Sequence, residues 1–182
     1  MKDAKKKTFD MVYIALFAVV MAVCAWIVIP MAVPFTLQTF GVFLAVGVLG
    51  GRKGTIAVFL YLLLGLVGLP VFSGFTGGVG VLFGPTGGYL IGFLAAALVM
   101  WGMELLFGKS KKVFFLSTIA GLLCCYLVGT LWIVFLFGNS IGATGVTGVL
   151  LYCVVPYVIP DLIKIGLVML TRKRLLPFVR TA

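Results

Sequence analysis

The 182-residue chain is 63% hydrophobic and 10% charged, and its mean hydropathy is +1.30. Because soluble domains average about 45–50% apolar residues, this composition excludes a soluble globular protein and indicates an integral membrane protein. The net charge of +10 is confined to short clusters at the edges of apolar runs, so no nucleic-acid partner is expected.

Thirteen of the 14 Lys and Arg residues fall in four clusters: Lys2 with Lys5–Lys7, Arg52–Lys53, Lys109 with Lys111–Lys112, and Arg172–Arg174 with Arg180. The alternate loops carry no charge at all. Basic residues concentrate in the cytoplasmic loops of membrane proteins. The pattern therefore predicts a multi-pass protein of the cell (plasma) membrane with both termini in the cytoplasm, embedded in the lipid bilayer.

Six apolar segments follow one another at about 9–29, 37–50, 55–69, 88–107, 113–137 and 147–171. The first is longer than the 7–15-residue core of a signal peptide, so we predict a retained first helix. Segments two and three fall short of the roughly 20 residues of a straight span and should tilt little or be buried against neighbours. The predicted fold is an all-α integral membrane protein with six transmembrane helices. A single domain, 1–182, would carry short basic cytoplasmic tails at 1–8 and 172–182.

The first segment carries small residues at helical spacing, namely Ala15, Ala18, Ala22 and Ala25. Such stripes let membrane helices approach closely. Spacing alone leaves two alternatives open: packing within this chain or docking on another subunit.

Two outer loops are candidates for covering a binding site. Residues 30–38 are proline-rich and end with the polar side chains of Thr36 and Gln38. In the second loop, 73–89, seven of the fifteen residues from 74 to 88 are glycine. Because glycine permits close backbone approach, this loop is expected to fold over a ligand and present bare N–H groups to it. A third outer loop, 138–145, is neutral.

Catalytic, nucleotide and metal sites are poorly supported by the sequence. The chain has no histidine, and its four cysteines lie in apolar runs without a C-x-x-C pair, which favours buried free thiols. No Ser or Cys has a plausible base nearby, and no carboxylate cage suggests a metal. The glycine spacings match neither the dinucleotide nor the P-loop motif. No cofactor and no metal are expected.

Asp161 and Lys164 are the only two charges in the middle of an apolar run. A charge at the centre of a membrane helix costs roughly 2.5–3.5 kcal/mol on insertion scales, so such residues tend to be paired and functional. Their i,i+3 spacing places both on one helix face. Pro156 and Pro160 lack the N–H groups that would bond the carbonyls of Tyr152 and Pro156, which leaves two acceptors just outward of the pair. We interpret this stretch as the floor of a binding site.

These features together indicate a cavity open to the outer side, covered by the two loops, with one carboxylate and one ammonium at its base. Apolar and aromatic walls suit a small, mostly uncharged organic molecule with a few fixed polar groups. Tyr126 and Trp132 are expected to be core or interfacial aromatics rather than ligand contacts.

Four spaced motifs carry a resemblance to a known family: Pro34–Thr39, Leu62–Phe72, Phe83–Tyr89 and Pro160–Lys164. Together they resemble the BioY family, the biotin-specific substrate-binding (S) subunits of energy-coupling-factor (ECF) transporters. The resemblance covers essentially the whole chain. It implies six helices that bind biotin from outside, and hence a protein of biotin uptake.

The resemblance also implies partners. In the family, the S subunit docks on a transmembrane coupling (T) subunit that carries two ATP-binding-cassette ATPases, although some members are proposed to work without a dedicated partner. Ala18 and Ala22 match the family's small-residue docking motif, which favours partner contact for these two alanines. The S subunit itself would be no enzyme, because ATP hydrolysis would reside in the partner subunits.

The resemblance implies that ionised Asp161 accepts from the N–H groups of biotin's ureido ring and that Lys164 donates to its carbonyl. Candidates for the rest of the ligand are polar or loop residues, namely Thr36, Gln38, Gly77, Gly78, Gly87 and Tyr89. No arginine is available for the valerate carboxylate, since every arginine lies in a basic cluster. The alternatives are an S subunit for another vitamin, a small membrane enzyme that uses Asp161, and an ion pair that only fixes its helix.

Overall fold

The computed structural model describes residues 2–29, 35–137 and 145–180. Nearly all of them are helical, and the elements in chain order are α1 (Lys2–Trp26), β1 (Val28–Ile29), β2 (Phe35–Thr36), α2 (Gln38–Leu49), α3 (Gly51–Leu66), a 3₁₀ turn (Ser73–Phe75), α4 (Val79–Leu82), α5 (Gly87–Phe107), α6 (Lys111–Phe137), α7 (Gly145–Cys153) and α8 (Val155–Arg180). Most of the proline-rich loop (30–34) and of the neutral outer loop (138–144) lies outside the described residues.

Three helices are long and apolar enough to cross a membrane: the part of α1 from Lys6 to Trp26, α5 and α6. The pair α7–α8 makes a fourth candidate if it is counted as one broken span. Helices α2 and α3 have 12 and 16 residues and are shorter than a straight span. The structure is thus that of an all-α membrane protein, and the six predicted spans stay a prediction.

The sixth predicted segment is not one helix, because the chain bends by 44° between α7 and α8. Pro156 lies in the first turn of α8, where a missing N–H costs little because the first N–H groups of a helix have no partner within it. The N–H of Tyr157 donates to the carbonyl of Val154 (2.9 Å). Pro156 therefore starts a second helix, while Pro160 lies inside that helix.

Helix α2 is the centre of the structure. It packs against α1, α3, α5 and α8, and ten of its 12 residues are buried. Its connection to α3 is a single residue, Gly50, at φ +83°, a left-handed conformation that glycine adopts without a steric cost. At the next turn, Gly54 of α3 lies directly against the backbone of Val46. The expectation that segment two is buried against its neighbours is confirmed.

Helices α5 and α6 form the most extensive helix pair. A Cβ atom at Gly129 of α6 would lie 2.4 Å from the ring of Tyr89. The absence of a side chain at this position therefore lets the tyrosine ring lie directly against the backbone of α6.

The segments between α1 and α2, and between α3 and α5, fold onto the same end of the bundle. Strands β1 and β2 are antiparallel, with Val28 opposite Thr36. The indole N–H of Trp26 donates to the carbonyl of Pro70 (2.9 Å), and its ring stacks on Phe75 at 4.9 Å. Phe75 has a φ of +58°, so this stacking holds a residue in a conformation that non-glycine residues rarely adopt.

The alanine stripe of α1 faces into the protein. Ala18 and Ala22 are 1% and 4% exposed and belong to the hydrophobic core, whereas Ala15 is exposed. The physical reason is that α1 packs on α2 and α3 and uses its smallest residues for the close contact. Internal packing, one of the two alternatives, therefore accounts for Ala18 and Ala22 in this structure, and their contact with a partner stays a prediction.

The substitution Gly54→Ala tests the contact between α2 and α3. The new Cβ would lie 2.4 Å from the Cα of Val46, and overpacking of this kind costs about 1–3 kcal/mol. We expect a lower thermal unfolding temperature in detergent. The matched control is Gly102→Ala in α5, where nothing lies within 4 Å of the added Cβ and alanine is favoured over glycine by about 1 kcal/mol. Equal unfolding temperatures for the two variants would contradict the close contact.

Candidate ligand-binding site

A cavity of about 130 Å³ lies at the end of the bundle where α2 and α5 begin. Its walls come from β2, the first turn of α2, the loop between α3 and α5, and helices α5, α6 and α8. Two charged side chains lie among its lining residues, Asp161 and Lys164, and the remainder are one amide, two thiols and hydroxyl-bearing, aromatic and aliphatic side chains. The cavity therefore combines an apolar wall with one polar cluster.

Asp161 is 4% exposed and accepts three hydrogen bonds. Its Oδ1 accepts from the hydroxyl of Thr39 (2.9 Å) and from Nζ of Lys164 (2.7 Å). Its Oδ2 accepts from the hydroxyl of Tyr126 (2.6 Å). Burying an ionised carboxylate is costly unless it is paired and hydrogen-bonded, and residues from α2, α6 and α8 jointly meet this requirement.

Lys164 is also 4% exposed. Its ammonium donates to the carbonyl of Thr36 (2.6 Å), to Oγ1 of Thr39 (3.1 Å) and to Asp161. It also lies 4.0 Å from the centre of the Phe35 ring, a cation–π arrangement. An ammonium has three N–H donors, so each of them has an acceptor, and the longest of the three bonds goes to Thr39.

A second polar network runs from β2 to the loop after α3. The Thr36 hydroxyl donates to Oε1 of Gln38 (2.8 Å), and Nε2 of Gln38 donates to the hydroxyl of Tyr61 (2.6 Å). The Tyr61 hydroxyl in turn donates to the carbonyl of Val71 (3.1 Å). This chain of bonds holds the start of α2 and the outer loop in one arrangement around the cavity.

Tyr89 uses the break between α7 and α8. Its hydroxyl donates to the carbonyl of Cys153 (3.2 Å). In a continuous helix this carbonyl would accept from the N–H of Tyr157, but that N–H bonds Val154 instead. The proline positions predict a free carbonyl at Tyr152. The carbonyl that Tyr89 uses is the next one along the chain, that of Cys153.

The loop between α3 and α5 forms the outer wall. It contributes Phe72, Ser73, Thr76, Val81 and Thr86. The short bridge between Phe72 and Thr76 closes this part of the loop on itself. The glycine-dense loop therefore does fold over the cavity, but with side chains rather than bare glycine N–H groups.

Five of the predicted ligand residues line this one cavity, namely Thr36, Gln38, Tyr89, Asp161 and Lys164. The three glycines do not. The N–H of Gly78 donates to the carbonyl of Gly65 (2.7 Å), and that of Gly87 donates to Gly84 (3.0 Å). Gly77 lies so close to Leu69 that an added Cβ would fall 2.1 Å from its carbonyl oxygen. The N–H groups of Gly78 and Gly87 are therefore used within the loop rather than presented to a ligand, and the prediction for the N–H of Gly77 stays a prediction.

Sequence reasoning missed two members of the polar cluster. Thr39 lies within a quoted motif, one helical turn after Thr36, yet its hydroxyl bonds both charged side chains. Tyr126, expected to be a core or interfacial aromatic, donates to Asp161. For Tyr126 the sequence did contain a signal. The hydroxyl of a tyrosine in the middle of an apolar helix needs a polar partner, and the chain has few polar side chains in its apolar segments.

The sequence model of the BioY family matches residues 1–181. A protein named biotin transporter BioY from Thermotoga maritima is 44% identical over 161 residues, which cover 88% of this chain and 91% of that protein. A probable biotin transporter BioY from Pyrococcus horikoshii is 36% identical over 170 residues, covering 93% and 97%.

The fold also matches a solved structure, described as the S-component for biotin from an ECF-type ABC transporter. The TM-score is 0.79 at 28% sequence identity, and the match covers 94% of this chain and 92% of that one. The family match, the relatives and the fold agree over nearly the full length, and the chain belongs to the BioY family.

Proposed function

We propose that this protein is the S component that captures biotin for uptake across the cell membrane. Its family, the names of its relatives and the solved biotin S-component of the same fold support this function. The observation that carries it is the buried Asp161–Lys164 pair at the polar base of an otherwise apolar cavity. The protein is a transport subunit rather than an enzyme.

The polar cluster suits a cyclic urea, which has two N–H donors and one carbonyl acceptor. An ionised carboxylate offers about four lone-pair sites, and three donors occupy Asp161. The remaining capacity lies on Oδ2, beside Tyr126, where a ureido N–H would bind. The ureido carbonyl would take the place of Thr39, the most distant of the three acceptors of Lys164. Molecules without the ring would not make the hydrogen bonds to Asp161 and Lys164 and would bind more weakly.

The remaining contacts would come from the walls. Phe35 and Tyr157, whose ring centres are 6.3 Å apart, would pack on the fused rings. Thr36, Gln38 and Tyr89 are the candidates for the valerate side of the ligand. Thr36 and Gln38 are buried and bonded to each other. The Tyr89 side chain is partly exposed, and its hydroxyl could exchange its 3.2 Å bond to Cys153 for one to the ligand.

We further propose six membrane spans with both termini in the cytoplasm, formed by the single domain 1–182 with basic tails. Each of the four basic clusters contributes one residue to a second cavity, at the opposite ends of α2 and α5 from the first, namely Lys6, Lys53, Lys109 and Arg172. The positive-inside rule supports a cytoplasmic position for this end. The biotin cavity would then open outward.

Active uptake needs partners, because the sequence contains no ATP-binding motif. We propose the T subunit and two ATPases of an ECF transporter in this role. Because Ala18 and Ala22 are buried, we place the docking surface on the exposed face of α1, around Ala15, Val19 and Val23. Docking there would leave the internal packing of α1 unchanged.

Asp161→Asn and Lys164→Met test the proposed ligand contacts. Hydrogen bonds to charged groups contribute about 1.5–3 kcal/mol, so each variant should bind biotin about 10- to 100-fold more weakly in calorimetric titrations of the purified protein. The controls are Asp10→Asn and Lys53→Met, which change the same groups at the other end of the molecule. Since either single variant leaves a charge unpaired, the double variant is titrated as well. Wild-type affinity in a folded double variant would refute the role of the pair.

Tyr126→Phe removes one donor from Asp161 and keeps the ring. We expect biotin affinity to fall by about tenfold, because one hydrogen bond to a charged group is lost. The control is Tyr152→Phe, whose hydroxyl is on an exposed side chain. If both variants bind biotin like the wild type, Tyr126 has no part in positioning the carboxylate.

Ala15→Trp tests the docking surface. It should lower the amount of T subunit that co-purifies while biotin binding is retained, whereas Leu123→Trp, on the exposed face of α6, should change neither. Ala18→Leu should instead lower the unfolding temperature, since overpacking a core costs about 1–3 kcal/mol. A thermally normal Ala18→Leu protein that fails to co-purify would return the docking site to Ala18.

A further inference from the structure

Tyr61 of α3 is a fully buried polar residue next to the biotin cavity. It is 0% exposed, yet it is not among the described residues that line the cavity. Two residues that its side chain contacts, Gln38 and Phe72, do line it. Burying a hydroxyl is costly unless it is hydrogen-bonded, so the partners of Tyr61 show what its hydroxyl contributes to the cavity.

On one side, Tyr61 holds the loop between α3 and α5. Its hydroxyl donates to the carbonyl of Val71 (3.1 Å), and its ring meets that of Phe72 edge-on, with the ring centres 5.6 Å apart. The Phe72 ring lies so close to Gly65 that no Cβ would fit there. The N–H of Gly78 donates to the carbonyl of the same glycine (2.7 Å). Helix α3 therefore anchors this part of the loop at both ends, and Tyr61 supplies one of the anchors.

On the other side, Tyr61 holds Gln38 and, through it, Thr36. The hydroxyl of Tyr61 accepts from Nε2 of Gln38 (2.6 Å), and Oε1 of the same amide accepts from the hydroxyl of Thr36 (2.8 Å). The backbone N–H of Gln38 donates back to Oγ1 of Thr36 (3.2 Å). The carbonyl of Thr36 accepts from Lys164 (2.6 Å). Tyr61 is thus linked to the buried ion pair through only two residues.

The direction of these hydrogen bonds is set at the loop. A backbone carbonyl can only accept, so the single proton of the Tyr61 hydroxyl is committed to Val71. The hydroxyl oxygen then accepts from Gln38, which turns the NH₂ group of that amide toward Tyr61 and its oxygen toward Thr36. Without the bond to Val71, Tyr61 could donate to the amide oxygen instead, and the amide could turn by about 180°. The position of the loop therefore decides which group of Gln38 faces Thr36.

We propose that Tyr61 is a positioning residue of the ligand site, which it serves without touching the ligand. It couples the closed position of the loop between α3 and α5 to the orientation of the Gln38 amide and to the place of Thr36 beside Lys164. The inference rests on the proposed function, since the ligand that gains from this order is biotin. In the free protein the hydroxyl keeps the site in its binding geometry, so the ligand does not have to rebuild it.

Tyr61→Phe tests this role, because it removes the hydroxyl and keeps the ring against Phe72. The Gln38 amide and the Val71 carbonyl then each lose a partner, and biotin binding has to restore the order that the hydroxyl maintained. We expect calorimetric titration of the purified full chain to show about 3- to 10-fold weaker biotin binding. The loss should appear mainly as faster exchange of bound radiolabelled biotin for unlabelled biotin, because a looser loop covers the ligand less well.

The matched control is Thr55→Val on the same helix. Thr55 is also buried, and its hydroxyl donates to the carbonyl of Gly51 (2.8 Å), but it is not among the described residues of the biotin cavity. Both variants should lower the unfolding temperature in detergent, and only Tyr61→Phe should change the affinity and the dissociation of biotin. A folded Tyr61→Phe protein that binds and releases biotin like the wild type would overturn the positioning role, and so would equal weakening in the two variants.

A double-variant cycle tests the route through Gln38. Gln38→Met removes the amide and keeps an unbranched side chain of similar length, and its combination with Tyr61→Phe removes both partners of one hydrogen bond. If Tyr61 acts through Gln38, the double variant should bind biotin no more weakly than Gln38→Met alone, because residues of one network are not additive. Losses in biotin affinity that simply add would overturn the proposal.

A measurement without ligand separates this inference from the proposed function. Hydrogen exchange at the N–H groups of Phe72 and Gly78, both of which are hydrogen-bonded, reports opening of the loop. Tyr61→Phe and Gln38→Met should each speed this exchange severalfold in the free protein, and Thr55→Val should not. Unchanged exchange in the first two variants would overturn the coupling whatever the protein binds. Faster exchange in a protein that fails to bind biotin would refute the proposed function and still support the coupling between the loop and Gln38.

Discussion

The structure depends on one buried ion pair. Moving a carboxylate and an ammonium out of water costs several kcal/mol per ion, and their mutual attraction offsets this only when the remaining hydrogen-bonding capacity is also satisfied. The hydrogen-bond partners of Asp161 and Lys164 are Thr36 in β2, Thr39 in the first turn of α2 and Tyr126 on α6. Three parts of the chain that are far apart in sequence are thereby held at fixed distances around one point.

The same requirement explains the irregular parts of the fold. Helix α2 is shorter than a straight membrane span. It begins beside the ion pair, because the carbonyl of Thr36, two residues before it, accepts a hydrogen bond from Lys164. The break between α7 and α8 leaves the Cys153 carbonyl for Tyr89. Backbone groups without a helical partner are tolerated at membrane depth only where protein or a cavity receives them, and both of these lie at the cavity wall.

The two ends of the bundle have different chemistry. At one end a single cation and a single anion are buried together as an ion pair, so the charges there balance each other. At the other end one residue from each of the four basic clusters lines a second, larger cavity. Helices α2 and α5 connect the two ends, so both cavities are built on the same rigid central elements.

The sequence by itself determined the membrane class, the positions of most helices and the two charged residues of the site, because hydropathy, proline positions and an isolated Asp–Lys pair are local signals. The four spaced motifs also determined the family. Tertiary structure alone decided which face of α1 is buried, that Thr39 and Tyr126 complete the cluster, and that Gly78 and Gly87 serve the loop rather than the ligand. Those outcomes depend on which helices meet, and the spacing of residues along one helix does not contain that information.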